Sequence, residues 1–212
     1  MFKQSIRPAD HPFQDFRNFQ YAVWDFLGLP EPTPVQYDIA HWLQYGPKRS
    51  ITEAYRGAGK SWISSALAGW CWWQNPETRI MVVSGGKDRA DEFSRFCLRL
   101  LQEMPVLQGL APTGGQLKSL MKFEVKGATP SHSPSCKSVG ITGQLTGSRA
   151  DLIIPDDIET PKNSLTITQR EKIEALVTEF DAILKPEDHC SIKYLGTPQI
   201  EDTLYDKLAG KG

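Results

Sequence analysis

The chain has 212 residues, of which 40% are hydrophobic and 23% are charged, and its formal net charge is -1. This length and composition are sufficient to bury one sizeable core, so we expect a single globular domain. No stretch approaches the roughly 18 consecutive apolar residues of a membrane-spanning helix, and residues 1–16 lack the apolar run of a secretory signal. The sequence therefore argues against a membrane or secreted protein and predicts that the protein stays in a cytoplasm.

The cysteine pattern argues against a zinc site or a disulfide framework. Cys71, Cys97, Cys136 and Cys190 stand far apart and form no C-x-x-C pair, and the four histidines add no ligand spacing to them. Structural zinc sites and disulfide-stabilised folds depend on such spacings. We therefore predict four free thiols, buried or half-buried.

Helices and strands are predicted to alternate in the first half of the chain. Apolar residues recur every three or four positions between Phe13 and Leu27, which predicts an amphipathic helix. A second helix is expected to begin near Pro34, because proline suits a first helical turn. The patterns that follow predict a strand over Ser50–Tyr55, a helix from Trp62 that stops before Pro76, a strand over Arg79–Ser84 and a helix that ends near Met104.

The middle of the chain is poorer in regular patterns. Residues 111–138 are rich in glycine, serine and proline, and we predict loops over a sheet edge around one short strand, Lys122–Lys126. A buried strand is then expected at Leu152–Pro155, where the apolar residues are continuous.

A long helix and a last strand complete the pattern. Thr168 and Glu171 are predicted to form the capping box of the helix, and Ser191–Leu195 is predicted to be the last strand. Alternating elements of this kind predict an α/β fold, with a mainly parallel central sheet and helices on both faces. We expect residues 1–48 to form an N-terminal helical region and residues 49–212 to form the core.

A phosphate-binding loop is the strongest chemical motif. Residues 54–61 read AYRGAGKS and fit G-x-x-x-x-G-K-[ST], except that Ala54 replaces the first glycine. The predicted strand and helix flank this loop as the motif requires. Backbone N–H groups and the helix N-terminus would cradle the β-phosphate of ATP, Lys60 would reach the β- and γ-phosphates, and Ser61 would ligate Mg²⁺. The residues predicted to bind ATP here are Arg56, Gly57, Ala58, Gly59, Lys60 and Ser61.

An apolar strand that ends in two carboxylates has the layout of a Walker B element. Asp156 and Asp157 follow the strand at Leu152–Pro155, and strand ends of this kind carry ligands in open α/β sheets. We predict that Asp156 holds Mg²⁺ and that Asp157 activates the attacking water. Glu159 is an alternative for the second role, because its longer side chain can reach the site if the backbone turns sharply.

Two further motifs accompany this pair. Pro34-Val-Gln36 resembles the adenine-reading motif of helicase-like ATPases, in which the paired donor and acceptor of the Gln36 amide would read adenine. The segment Gly196-Thr197-Pro198 follows the last strand and resembles the coupling motif of the same ATPases, so we predict that Thr197 senses the γ-phosphate.

Arginine is the remaining requirement, because a guanidinium can stabilise the charge of the phosphoryl-transfer transition state. Arg149 is the candidate finger that acts on the site of a neighbouring subunit, and Arg56 is the candidate that acts within its own chain. The sequence leaves both assignments open.

Three segments together resemble the large terminase subunit of short-tailed bacteriophages. They are the run from Ser133 to Glu159, the loop from Tyr55 to Ser61 and the segment from Tyr194 to Gln199, and the likeness extends over about Val23 to Leu208. The run before the Walker B strand is much more specific than a general ATPase motif.

The resemblance implies an additional-strand P-loop ATPase that assembles as a homomeric ring and drives double-stranded DNA into a procapsid. It also implies a portal protein and a small terminase subunit as partners, and the cytoplasm of an infected bacterium as the location. Members of the family continue into a nuclease domain, which we expect this chain to lack. Lys118, Lys122 and Lys126 are candidates for contacts with DNA phosphates.

The phosphate-binding loop also occurs in proteins with other functions. A helicase-like translocase shares these motifs but would need a second lobe, and a small-molecule kinase would need clustered arginines after the Walker B strand. A nucleotide-binding module that serves ring assembly with little turnover is the remaining alternative.

Overall fold

A computed structural model of the chain describes residues 2–114, 117–119, 121–199 and 203–210. Helices and strands alternate, as the sequence predicts. The helices are α1 (Phe16–Phe26), α2 (Pro34–Tyr45), α3 (Lys60–Gln74), α4 (Lys87–Glu103), α5 (Pro161–Ser164), α6 (Ile167–Ile183) and α7 (Leu204–Ala209). The strands are β1 (Arg49–Glu53), β2 (Ile80–Ser84), β3 (Leu117–Ser119), β4 (Lys122–Phe123), β5 (Cys136–Gly140), β6 (Leu152–Asp156) and β7 (Ser191–Gly196).

The seven strands form one mixed sheet in the order β1-β7-β6-β2-β5-β4-β3. The first five strands of this order are parallel, and β4 and β3 add an antiparallel edge. Parallel strands bring their carboxyl ends to the same edge, so the segments after β1, β7, β6 and β2 meet there. The predicted mainly parallel α/β fold is confirmed, and the loops that carry the motifs share one edge of the sheet.

The two faces of the sheet belong to two separate hydrophobic clusters. Ile80 and Val82 of β2 pack with α1, α2, α3 and α4, whereas Met81 and Val83 pack with α6 and α7. This division follows from the two-residue period of a strand, which sends neighbouring side chains to opposite faces. Helices therefore cover both faces, as predicted, and the continuous apolar run of β2 is explained by burial on both sides.

The start of α6 corrects one prediction. Thr166, not Thr168, is the N-cap of this helix, and its hydroxyl accepts a hydrogen bond from the backbone N–H of Gln169 while the Gln169 side chain accepts from Thr166. The prediction of a capping box formed by Thr168 and Glu171 is wrong, because Ile167 is already helical and Thr168 lies inside the first turn. Gln serves as well as Glu at the third position of such a box.

The prediction of loops around one short strand between residues 111 and 138 is wrong at its end, and it also misses β3, which pairs with β4. β5 begins at Cys136 and pairs with β2 inside the sheet, and the predicted strand at Lys122–Lys126 ends earlier, at Phe123. β5 carries polar residues that hide it from an apolar pattern. The buried Lys137 donates to the backbone oxygens of Leu145 and Thr146, so tertiary contacts satisfy its ammonium group.

Two other observations bear on the predictions. All four cysteines are free and buried, which confirms the prediction of free thiols. Among the described residues, no helix is long and apolar enough to cross a membrane.

Candidate nucleotide-binding site

The phosphate-binding loop connects β1 to α3, as the motif requires. Gly57 and Gly59 adopt φ values of 95° and 82°, in the left-handed region that glycine enters without strain. A Cβ atom on Gly59 would also lie 2.8 Å from Nε2 of Gln36. Two glycines thus shape the turn that opens the N-terminus of α3, where backbone N–H groups and the helix dipole favour a bound phosphate.

Lys60 is the first residue of α3 and is buried, with 5% of its surface exposed. Its Nζ donates to the backbone oxygens of Ala54 and Tyr55, at 3.0 Å and 3.2 Å, and to Oγ1 of Thr197, at 2.7 Å. The ammonium group is therefore held inside the loop at the carboxyl edge of the sheet. Phosphate oxygens bound in this loop would compete with these three acceptors for its protons.

Asp156 ends β6 and lies beside the loop. Its carboxylate accepts a hydrogen bond from the Ser64 hydroxyl at 3.4 Å, and Ser61 lines the same cavity as Asp156. Burial, followed by the charge of Asp157, raises the pKa of Asp156 to about 6. Among the described residues, Oδ1 of Asp156 is buried and has no hydrogen-bond partner.

These oxygen atoms fit a magnesium site. Mg²⁺ prefers oxygen ligands and is usually held by one or two carboxylates together with substrate phosphates and waters. Ser61 and Asp156 supply a hydroxyl and a carboxylate beside the phosphate loop, and the unpartnered Oδ1 of Asp156 is a free acceptor. The residues predicted to hold Mg²⁺ thus lie together.

Asp157 turns the chain sharply after the Walker B strand. It is the one non-glycine residue of the described chain with a positive φ, 46°, and its backbone N–H donates to the carbonyl of Leu195 at 2.8 Å. Its Oδ1 accepts a hydrogen bond from the Thr197 hydroxyl at 3.1 Å. The strained turn therefore directs the Asp157 carboxylate towards β7 and the phosphate loop.

Thr197 is the meeting point of three segments that are far apart in sequence. Its hydroxyl contacts Lys60 of the loop and Asp157 of the Walker B turn. It follows Gly196, whose backbone oxygen accepts a hydrogen bond from the Ala54 N–H at 3.1 Å. Because this hydroxyl bonds to both charged groups, a movement of either Lys60 or Asp157 would alter its hydrogen bonds.

Gln36 lies on the other side of the loop. Its Nε2 donates to the backbone oxygen of Ala58 at 3.1 Å, and its Oε1 accepts from the Thr33 N–H at 2.9 Å as part of the capping box of α2. The motif and the loop are thus in direct contact. In this arrangement both ends of the Gln36 amide are bonded to the protein.

The two candidate arginines lie at opposite edges of the sheet. Arg56 is exposed and lines the cavity above the phosphate loop. Arg149 precedes β6, at the amino edge, where its guanidinium donates to the backbone oxygen of Ala182 at 2.7 Å. Arg149 is therefore at the far end of the strand that carries Asp156 and does not reach the site of its own chain.

Glu159 lines the same cavity, but its carboxylate is bonded elsewhere. Oε2 accepts a hydrogen bond from the backbone N–H of Leu204 at 2.8 Å, and only 2% of the residue is exposed. Burial raises the pKa of Glu159, whereas hydrogen bonds from backbone N–H groups of Leu204 and Gln199 lower it. Of the two candidates for water activation, Asp157 is the one that contacts Thr197.

A cavity of about 570 Å³ lies above the phosphate loop. The loop, the Walker B turn and Thr197 line one side, and one face of α4 lines the other with Arg89, Glu92, Phe93 and Phe96. Sequence reasoning missed this contribution from α4 and also the contact of Ser64 with Asp156. Ser64 lies three residues after Ser61, so helical spacing alone would have placed both on one side of α3.

Two of the candidate DNA-binding lysines, Lys122 and Lys126, do not line this cavity. Lys122 is exposed on β4, at the antiparallel edge of the sheet, and Lys126 is exposed just after it. The side chain of Lys118 lies outside the described part of the structure.

Strand order defines the class of protein. β7 lies between β1, which leads into the phosphate loop, and β6, which carries the Walker B carboxylates. A strand inserted between these two is the defining feature of additional-strand P-loop ATPases, so the fold is of this class.

Comparisons with known proteins agree with the resemblance seen in the sequence. The chain is 50% identical over 195 residues to the large terminase subunit of Enterobacteria phage T3, an alignment that covers 92% of this chain and 33% of that protein. No protein-family model matches the chain. The chain thus spans about one third of the length of this curated relative and is similar in sequence to that part of it.

Solved structures support the fold. The large terminase of bacteriophage HK97 superposes with a TM-score of 0.62 at 17% identity, over 94% of this chain and 42% of that chain. An arginine-to-alanine mutant of the large terminase ATPase domain from Thermus phage P74-26 gives 0.55 at 16% identity, over 86% and 71%. The fold is therefore that of terminase ATPase domains.

Proposed function

We propose that the chain is the ATP-hydrolysing part of a viral DNA-packaging motor. The carrying observation is the contact of Lys60 and Asp157 with the single hydroxyl of Thr197, supported by the sequence relationship with a phage large terminase. On this proposal the chain uses ATP and Mg²⁺ to move double-stranded DNA into a procapsid, in the cytoplasm of the infected host. Residues 1–48 and 49–212 act as one ATPase domain.

The residues divide the work of phosphoryl transfer among them. Backbone N–H groups from Gly57 to Ser61 hold the β-phosphate, and Lys60 neutralises the β- and γ-phosphate oxygens. Ser61 and Asp156 hold Mg²⁺, which when bound neutralises the charge that develops between these two phosphates. The Asp157 carboxylate orients the attacking water and accepts its proton.

Thr197 then links chemistry to motion. While the γ-phosphate is bound, its oxygens compete with the Thr197 hydroxyl for the ammonium group of Lys60. After the γ-phosphate is released, this ammonium group returns to the Thr197 hydroxyl. The segment Gly196-Thr197-Pro198 carries this change to the elements that follow β7.

A ring of identical subunits would complete the site. Arg149 lies at the amino edge of the sheet and is exposed, so it is available to the site of a neighbouring subunit, whereas Arg56 serves its own. A portal protein and a small terminase subunit are the proposed protein partners of the ring, and exposed lysines such as Lys122 and Lys126 are the proposed contacts with DNA.

Complementation between two inactive variants tests the shared site. ATPase activity of the wild-type chain should rise more steeply than linearly with protein concentration, because each site needs a neighbour. Arg149→Ala and Asp157→Ala should each be inactive alone, yet a mixture should recover activity, since a ring of both contains sites with an intact carboxylate and an intact neighbouring arginine. A mixture without activity, or an activity linear in concentration and insensitive to Arg149→Ala, would contradict the ring.

Two other functions would give different results in the same assay. A nucleotide-binding module for ring assembly would bind ATP with negligible turnover at every concentration. A helicase-like translocase would hydrolyse ATP without needing Arg149 of a neighbour. Arg170→Ala is a control, because Arg170 also bonds to a backbone oxygen, that of Ser164, but lies in the first turn of α6 and not at the amino edge of the sheet where Arg149 lies.

A further inference from the structure

The first turn of α7 is fastened to the candidate site by a buried carboxylate. Oε2 of Glu159 accepts a hydrogen bond from the backbone N–H of Leu204 at 2.8 Å. Glu159 comes two residues after Asp157, and Leu204 is the first residue of α7. The free N–H groups of a first helical turn need acceptors, and a charged acceptor there forms a strong hydrogen bond.

The end of β7 contacts the same turn. The ring of Tyr205 lies so close to Gly196 that a Cβ atom on this glycine would be 2.1 Å from Cζ of Tyr205. Tyr205 is fully buried, and Gly196 directly precedes Thr197. Any residue larger than glycine would force this ring away, so the contact ties the position of α7 to the backbone next to Thr197.

The opposite side of α7 is held by a different element. Lys207 pairs with Glu174 of α6, and within α7 itself Thr203 and Asp206 form a capping box at the first turn. These contacts stabilise α7 without touching the loop, the Walker B turn or Thr197. The helix therefore has one side joined to the candidate site and one side joined to α6.

We propose that Glu159 and Tyr205 are positioning residues that transmit nucleotide occupancy to α7. This inference rests on the proposed function. Phosphates that draw Lys60 away from Thr197 release the hydroxyl that joins the ends of β6 and β7. Both strand ends contact the first turn of α7, one through Glu159 and the other through Gly196, so the turn moves with them. Glu159 thus acts through α7 and not on the attacking water.

Hydrogen–deuterium exchange of the α7 amides tests the inference. The 212-residue chain is measured with and without a non-hydrolysable ATP analogue and Mg²⁺, and calorimetry under the same conditions verifies binding. We expect the analogue to change α7 exchange by about threefold or more in the wild type. In Glu159→Ala, the α7 amides should exchange faster both with and without the analogue. The ratio of the exchange rates without and with the analogue should fall to about one, although the analogue still binds.

Two variants show whether Glu159 transmits nucleotide occupancy to α7 or only stabilises this helix. Glu159→Gln retains an oxygen that accepts from the Leu204 N–H, so it should keep the wild-type ratio. Glu174→Gln loses the ion pair with Lys207, so it should loosen α7 equally in both states and also keep the ratio.

Two results overturn the inference, and a third bears on the function itself. A wild-type ratio of about one with the analogue bound would overturn it without any variant, as would a folded Glu159→Ala that keeps the wild-type ratio. Failure of the wild-type chain to bind the analogue would instead overturn the proposed function, and the inference with it.

Discussion

The hydroxyl of Thr197 lies 2.7 Å from the ammonium nitrogen of Lys60, although 137 positions separate the two residues in sequence. The same hydroxyl donates to Asp157 at 3.1 Å. One small side chain thus joins the phosphate loop to the Walker B turn, and its removal should affect hydrolysis more than binding.

Thr197→Val should lower the turnover number for ATP by about tenfold, equivalent to about 1.4 kcal/mol. Valine keeps the shape of threonine but offers no hydroxyl to Lys60 or Asp157. Steady-state ATPase assays measure the effect, and calorimetry should give an affinity for the ATP analogue within about threefold of the wild type. Thr197→Ser is the matched control and should retain most of the activity. Equal turnover by the valine and serine variants would refute the role of the hydroxyl.

Asp156→Asn should stabilise the nucleotide-free protein and abolish hydrolysis. Burial raises the pKa of Asp156 to about 6, so near neutral pH the folded chain bears the cost of a buried carboxylate, about 3 kcal/mol. Asparagine removes this charge and with it the ligand for Mg²⁺. Urea unfolding without Mg²⁺ should show a higher midpoint for the variant, and ATPase assays should show no turnover. A less stable variant would mean that the carboxylate stabilises the fold.

Gln36→Ala should weaken binding of ATP by about tenfold and binding of GTP much less. The Gln36 amide is proposed to read adenine, and guanine offers the opposite donor and acceptor pattern. Since Nε2 also holds the backbone oxygen of Ala58, some loss of affinity for both nucleotides is expected from a looser loop. Competition titrations of both nucleotides decide between the roles: equal losses would assign Gln36 to the loop alone.

Lys193→Met should change how stability depends on pH. The Lys193 side chain is fully buried and donates to the backbone oxygens of Gly46 and Pro47. Burial lowers its pKa from 10.5 to about 8. Between these two values the unfolded chain binds more protons than the folded chain, so this group makes unfolding more costly as the pH rises, by up to about 3 kcal/mol.

The comparison with the methionine variant isolates that contribution. Below about pH 8 the variant should be the more stable protein, and the wild type should gain on it as the pH rises towards 10.5. Tyrosine ionisation affects both proteins alike and cancels in the difference. Urea unfolding across this pH range measures the difference in unfolding free energy between the two proteins. A difference that stays constant would show that Lys193 has an ordinary pKa in the folded chain.

Much of the site could be predicted because its motifs are local. The turn at Gly57 and Gly59 and the carboxylates after β6 depend on a few consecutive residues, and parallel pairing then brings them to one edge. The strands β2 and β6 could also be predicted, since strands buried on both faces have continuous apolar sequences.

The features that escaped prediction depend on contacts between distant segments. β5 was missed because Lys137 is satisfied by Leu145 and Thr146, which no pattern within the strand reveals. The hydrogen bond from the Leu204 N–H to the Glu159 carboxylate joins residues 45 positions apart. From the sequence alone, this carboxylate is instead a candidate for catalysis. The capping box of α6 lies two residues earlier than predicted, because two threonines are each followed three residues later by Gln or Glu, and the helix uses Thr166 with Gln169.

Calorimetric titration of a non-hydrolysable ATP analogue with Mg²⁺ tests the central claim, that the loop from Gly57 to Ser61 holds a triphosphate with Lys60. The account predicts saturable binding to the wild-type chain and at least about tenfold weaker binding to Lys60→Ala. Circular dichroism spectra of both proteins would verify that they are folded. A folded wild-type chain that releases no heat, or a Lys60→Ala variant that binds as tightly as the wild type, would contradict it.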